Sequence, residues 1–113
     1  MIDEKDFLEF IKPAIKNFPK LLDLEDVGRQ AVIKEVGFAE TKYGRKLRIL
    51  LDVEGEEKSL LLGKSLARSL YRSFENRGIP TIKDWIGKRV KVERVVIQSR
   101  NGIIEKPVIT PQL

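Results

Sequence analysis

Seven consecutive positions, Lys42 to Arg48, hold four cations and one phenol: Lys42, Tyr43, Arg45, Lys46 and Arg48. Cationic side chains neutralise phosphates, and an aromatic ring among them can stack on a base, so this interleaving is the chemistry of nucleic-acid contact. The residues most catalysts need are missing. The chain has no Cys and no His, which removes thiolate nucleophiles, sulfur-ligated metals, imidazole bases and Ser-His-Asp machinery. Carboxylate, lysine, tyrosine and arginine chemistry would remain, yet no convergent set of those residues is visible. The sequence is therefore read as non-enzymatic and as needing no cofactor. Asp52, Glu54, Glu56 and Glu57 lack the ligand-loop pattern of a hard-metal site and are expected to form a solvated acidic turn. Gly63-Lys64-Ser65 lacks the glycine that a phosphate-binding loop requires five positions earlier, where Lys58 stands, and is expected to open a helix.

The 113 residues carry a net charge of +5, unevenly spread. Residues 1–27 hold four lysines against seven acidic residues, while the rest holds 18 basic against 10 acidic residues. An acidic leader on a basic body suits a polyanionic partner. The acidic start and the lack of an apolar run of about 20 residues predict a cytoplasmic protein without membrane contact. Few Asn, Gln and Met beside many Lys, Arg and Glu tilt the composition towards a thermophile.

Those candidate residues need elements to hold them. Apolar positions Phe7, Phe10, Ile11, Ala14 and Ile15 recur at helical spacing, predicting a helix over Lys5–Lys12 that Pro13 interrupts. Leu21 to Asp26 reads as a connector. From Gly28 the period falls to two, which predicts a strand over Gln30–Phe38 with a bulge or bend at Gly37. A turn at Thr41–Gly44 leads to a second strand in which Leu47, Ile49, Leu51 and Val53 alternate with polar positions. A loop of about three to five residues around Glu54-Gly55-Glu56 leads to a third strand, Lys58–Leu62. A helix from Gly63 to Gly78 presents Leu66, Ala67, Leu70, Tyr71 and Phe74 on one face, and Gly78 supplies its left-handed cap. Two further strands, Arg89–Gln98 and Ile103–Thr110, are joined at Asn101-Gly102, a strong hairpin signal.

The expected fold is mainly β, a five-stranded Greek-key barrel in β-β-β-α-β-β order with an N-terminal helix. Residues 1–27 form the leader and 28–113 the barrel. That order is the one of the oligonucleotide/oligosaccharide-binding (OB) barrel, with Sm-like or SH3-like barrels as rivals. The runs Glu40-Thr41-Lys42-Tyr43-Gly44, Leu51-Asp52-Val53-Glu54, Gly63-Lys64-Ser65 and Asp84-Trp85-Ile86-Gly87-Lys88 resemble a group of small phage-like and archaeal OB proteins. The leader Phe10-Ile11-Lys12-Pro13 is similar to theirs, whereas the basic run Arg68 to Arg77 departs from their helix. The resemblance implies binding of single-stranded nucleic acid, with DNA preferred to RNA. A protein-interaction OB module, serving as a subunit of a replication, repair or viral assembly, is the alternative.

Within such a barrel, inward Leu47, Ile49, Leu51 and Val53 turn Lys46 and Arg48 outward, with Arg45 beside the turn. The expected interface is Lys42, Tyr43, Arg45, Lys46 and Arg48, with Lys58, Lys91 and Arg100 as further candidates. Phe38 stands between core and ligand. Trp85, Tyr71 and Phe74 are expected in the core. The leader has three open roles: covering the barrel, docking a protein partner, or guarding the basic groove.

Overall fold

The computed structural model describes residues 20–112. Its fold is mainly β: a curled six-stranded sheet forming a half-barrel, with one α-helix. The strands are β1 (Lys20–Leu21), β2 (Gln30–Thr41), β3 (Gly44–Val53), β4 (Glu56–Leu62), β5 (Arg89–Ser99) and β6 (Gly102–Pro111). The helix α1 spans Lys64–Glu75, and short 3-10 turns cover Leu24–Asp26 and Ile82–Trp85. The sheet order is β1-β4-β3-β2-β5-β6. β2, β3 and β4 form a meander, and the connection through α1 returns β5 to the free side of β2, which is a Greek-key path.

Three sequence expectations need correction. The sheet has six strands rather than five, because Lys20–Leu21, read as part of the leader and connector, pair in parallel with Lys58–Ser59 of β4. Leu22 and Asp26 are buried, so this segment belongs to the body of the sheet. Two residues in strand geometry are too few to leave a period in sequence. The irregularity in β2 lies between Ile33 and Glu35 instead of at Gly37, which pairs regularly with Arg48. At that bulge the backbone of Ile33 turns to Gly87 and Lys88, joining β2 to the loop before β5. Finally, the β3–β4 loop has two residues: Val53 pairs with Glu56, and Glu54 and Gly55 both take positive φ, at 52° and 96°. Positive φ at both central positions matches the right-handed twist of the flanking strands. Asp52 fixes this turn by accepting from the Gly55 N–H at 2.8 Å. The expected helix over Lys5–Lys12 lies outside the described residues.

The core lies between the concave face of the sheet and α1. Ile33, Ile49, Leu51, Val53, Val90 and Val92 line the sheet, and Leu70 and Phe74 descend from the helix. Trp85 closes one end, stacked on Phe74 at 4.6 Å between ring centroids. Its indole N–H is buried with no acceptor among the described residues. Tyr71, expected in the core, stands at its exposed margin, tilted against Trp85 at 6.4 Å. The helix ends as expected: Gly78 takes φ +80°, and the Ile79 N–H reaches the Phe74 carbonyl, closing a Schellman motif that uses carbonyls the helix leaves free. No helix among the described residues is long and apolar enough to cross a membrane.

Candidate nucleic-acid interface

The β2–β3 hairpin carries the basic run. Its tip is the turn Thr41-Lys42-Tyr43-Gly44, in which Thr41 Oγ1 donates to the Gly44 carbonyl at 2.7 Å and accepts from the Tyr43 N–H at 3.1 Å. Gly44 sits at φ +105°, where a side chain would be strained,. This local locking fixes Lys42 and Tyr43 at the outermost point. The Tyr43 ring is 79% exposed, and the Lys42 ammonium lies 5.2 Å from its centroid. A base stacked on the free face of that ring would have a cation beside it.

Below the tip, alternation divides the cations between two faces. Arg45 shares the concave side with Leu47 and Phe38, because Phe38 pairs with Leu47 across the ladder. Its guanidinium lies 5.4 Å from the Phe38 ring and donates to Glu40 at 2.8 Å. Phe38 remains 69% exposed, since β4 ends level with it at Leu62 and β5 pairs with β2 only through Val32. Arg48 leaves from the convex side, whereas the Lys46 side chain, of the same parity in β3, reaches round the end of β4; neither enters an ion pair among the described residues. Arg48 lies opposite Gly37, beside a shallow depression of about 410 Å³ bounded by Glu35, Leu50 and Ile86. Lys46 leans towards the start of α1: a Cβ placed on Gly63 would stand 3.6 Å from its Nζ.

The three further candidates do not join this surface. Lys58 is the clear correction. It pairs with Leu51 across the β3–β4 ladder and so faces the core side rather than the convex platform. It is only 8% exposed, and its ammonium donates to both carboxylate oxygens of Asp26 at 3.0 and 2.9 Å. Asp26 is 1% exposed and also accepts from Arg29 at 3.0 Å and from the Asp23 N–H at 3.1 Å. Burial pushes the Asp26 carboxyl up, but these donors, Lys58 foremost, outweigh it and hold it below its ordinary value. The hydrogen bond to Asp26 raises Lys58 in turn. Lys58 is a structural cation.

Lys91 lies in a separate depression with Arg77 and Arg89, partly offset by Glu93. Arg100 occupies the tip of the β5–β6 hairpin. That tip, Ser99-Arg100-Asn101-Gly102, repeats the β2–β3 turn: Ser99 Oγ donates to the Gly102 carbonyl at 3.0 Å and accepts from the Asn101 N–H at 3.3 Å. Gly102 takes φ +118°. Both hairpins thus end in a hydroxyl residue, a cation, one variable residue and a glycine, a correspondence present in the sequence that composition and periodicity pass over. The acidic turn is spent on ion pairs, Glu54 with Arg29 at 2.9 Å and Glu57 with Lys34 at 2.6 Å.

No family model matches the chain, and neither does any curated protein or solved structure.

Proposed function

We propose that this protein binds single-stranded nucleic acid, DNA in preference to RNA, without catalysis. The interface would be the outer part of the β2–β3 hairpin of an OB-like barrel. The observation that carries this reading is the tip: an exposed Tyr43 ring flanked by Lys42, above Lys46 and Arg48, two cations with no carboxylate partner among the described residues. Unpaired cations beside an exposed ring suit a flexible polyanion whose bases are free to stack. Supporting the OB reading, β2, β3, β4, α1, β5 and β6 follow one another in that barrel's element order, with β1 added before them,. The hairpin loops β2–β3 and β5–β6 are then the two loops such barrels direct at ligand. The preference for DNA rests on the resemblance noted above.

Anisotropy of a labelled dT oligomer, titrated at two salt concentrations, tests the reading. Binding at low salt should weaken with salt by a log–log slope of about −0.7 per phosphate contacted. Replacing Lys46 and Arg48 by Gln should flatten that slope by about 1.4, and replacing Arg68 and Arg72 on the helix together with Arg77 in the turn that follows it should change it less. No binding at low salt rejects the function, and the reverse ranking of the two variants moves the groove to the helix. An rU oligomer as competitor decides between DNA and RNA.

A second reading, a protein-interaction module, is favoured by one observation. Val96, Ile103 and Ile104 are exposed on the outer half of the β5–β6 hairpin, and apolar surface of that kind suits a protein partner better than a phosphate chain.

A further inference from the structure

Between the concave side of the β2–β3 hairpin and α1 lies a slot of about 260 Å³. Phe38 and Leu47 line it from the hairpin, Tyr71 from the helix, and Ile82 and Trp85 from the turn that precedes β5. Arg45, Lys46 and Lys64 also line it, and no carboxylate does. The first turn of α1 opens beside it. Gly63 caps that helix without a side chain, and no acidic residue follows in the first turn. The earliest helical hydrogen bond comes from the Ala67 N–H to the Gly63 carbonyl, so the amides of Lys64, Ser65 and Leu66 have no partner within the helix.

We propose that this slot receives one unstacked base of the bound strand, and that Lys46, Lys64 and the first amides of α1 hold the adjoining phosphate. The inference rests on the nucleic-acid reading above and adds a defined subsite on the opposite side of the hairpin from Arg48. Size argues for a single base: the volume lies just below the roughly 300–1,000 Å³ of pockets for drug-sized ligands. Composition argues for a planar aromatic guest, because Phe38, Tyr71 and Trp85 supply three rings to the walls, and unstacked bases are held on such rings. Charge argues for an anionic attachment. Lys46 and Lys64 enter no ion pair among the described residues, and a helix N-terminus favours phosphate. Arg45 is already engaged by Glu40 and the Phe38 ring, so it shapes the mouth of the slot.

Trp85 is the sole tryptophan, which makes its emission a local reporter. A dT oligomer carrying a 5′ label is titrated into the full chain, with anisotropy and Trp85 emission followed together. Both signals should saturate at the same concentration. Ala67→Phe places a ring in the slot without touching a charge; it should weaken binding about tenfold, abolish the Trp85 response and leave the salt slope unchanged. Lys64→Gln, an exposed change that keeps the fold, should retain the Trp85 response and flatten the slope by about 0.7. An anisotropy rise with no change in Trp85 emission overturns the slot and leaves the nucleic-acid reading standing. So does a folded Ala67→Phe protein with unchanged affinity. Equal response to dTMP and to the oligomer would make this a free-nucleotide site and overturn its place in strand binding. No anisotropy change at low salt defeats both proposals.

Discussion

Lys58 and Arg48 lie on neighbouring strands, yet they serve opposite ends. Lys58 reaches Asp26 at the corner where β1 and the 3-10 turn meet β4, and Asp26 is bonded in turn to Arg29, which holds Glu54. Each charge there has an answering charge. At the hairpin, Lys46 and Arg48 have none among the described residues, and Tyr43 extends into solvent. A satisfied buried cation holds segments together, whereas an unsatisfied half-buried one at the surface is available to a partner. What separates them is the face of the sheet and the presence of a buried carboxylate, not residue type.

Breaking the corner should give the largest effect, and it should fall on stability alone. Asp26→Ala leaves Lys58 buried without a partner, which costs about 3 kcal/mol. For a domain of this size the melting temperature should fall by about 12 °C or more. The paired change Asp26→Leu with Lys58→Met should recover most of that loss, because well-packed apolar residues can replace a buried ion pair. Neither variant should alter the salt slope of oligomer binding once folded. If Asp26→Ala melts like the parent while Lys58→Gln weakens binding, the assignment of Lys58 to the interior is wrong.

The same corner should respond to pH. The Asp26 carboxyl in the folded protein lies below its unfolded value of about 3.8. Its contribution is therefore complete above that value and is lost as pH falls through the folded pKa. Lys58 is raised above 10.5, so its contribution is complete below 10.5 and is lost as pH rises through its folded pKa. Melting curves from pH 2 to 7 should show a steeper acid loss for the parent than for Asp26→Asn. Identical acid slopes would mean that Asp26 gains nothing from its donors on folding.

The contrast between the two cations also shows what could be read from the chain. Alternation in β3 indicates the side of Arg48, because Leu47, Ile49, Leu51 and Val53 admit one inward face, but it does not show that the longer reach of Lys46 brings its ammonium to Gly63 at the start of α1. Lys58 was legible only through register. A loop of two residues sets Val53 opposite Glu56 and therefore Lys58 opposite Leu51; a loop one residue longer would have turned Lys58 outward. The run Leu60-Leu61-Leu62 conceals the period that could have decided it. Asp26 lies 32 residues from Lys58, and no local pattern announces a partner at that distance. Phe38 follows the strand period into the concave face, but it lies level with the end of β4 and beyond the stretch of β2 that pairs with β5, and so lines a slot instead of the core. The tip turns were readable at both hairpins because their determinants, a hydroxyl and a glycine three residues apart, are local. Where each tip stands relative to the other is set by the pairing of Gln30–Val32 with Arg89–Lys91, which is not.

The smallest effect sharpens the comparison most. Tyr43→Ala removes a ring that contacts no core residue and lies in a turn held by Thr41 and Gly44, so stability should change by no more than about 0.5 kcal/mol. Binding should weaken by about 1–3 kcal/mol, the contribution of one base stacked on an aromatic side chain. The salt slope should stay as in the parent, because stacking releases no counterions, whereas Lys42→Gln should flatten it by about 0.7. Tyr43→Phe separates the ring from its hydroxyl: retained affinity assigns the contact to the π face. Were Tyr43→Ala to lower the melting temperature and leave binding intact, the hairpin tip would belong with Asp26 and Lys58 among the parts that hold the fold. The interface would then have to be sought at the second tip, where Arg100 occupies the same position in the same turn.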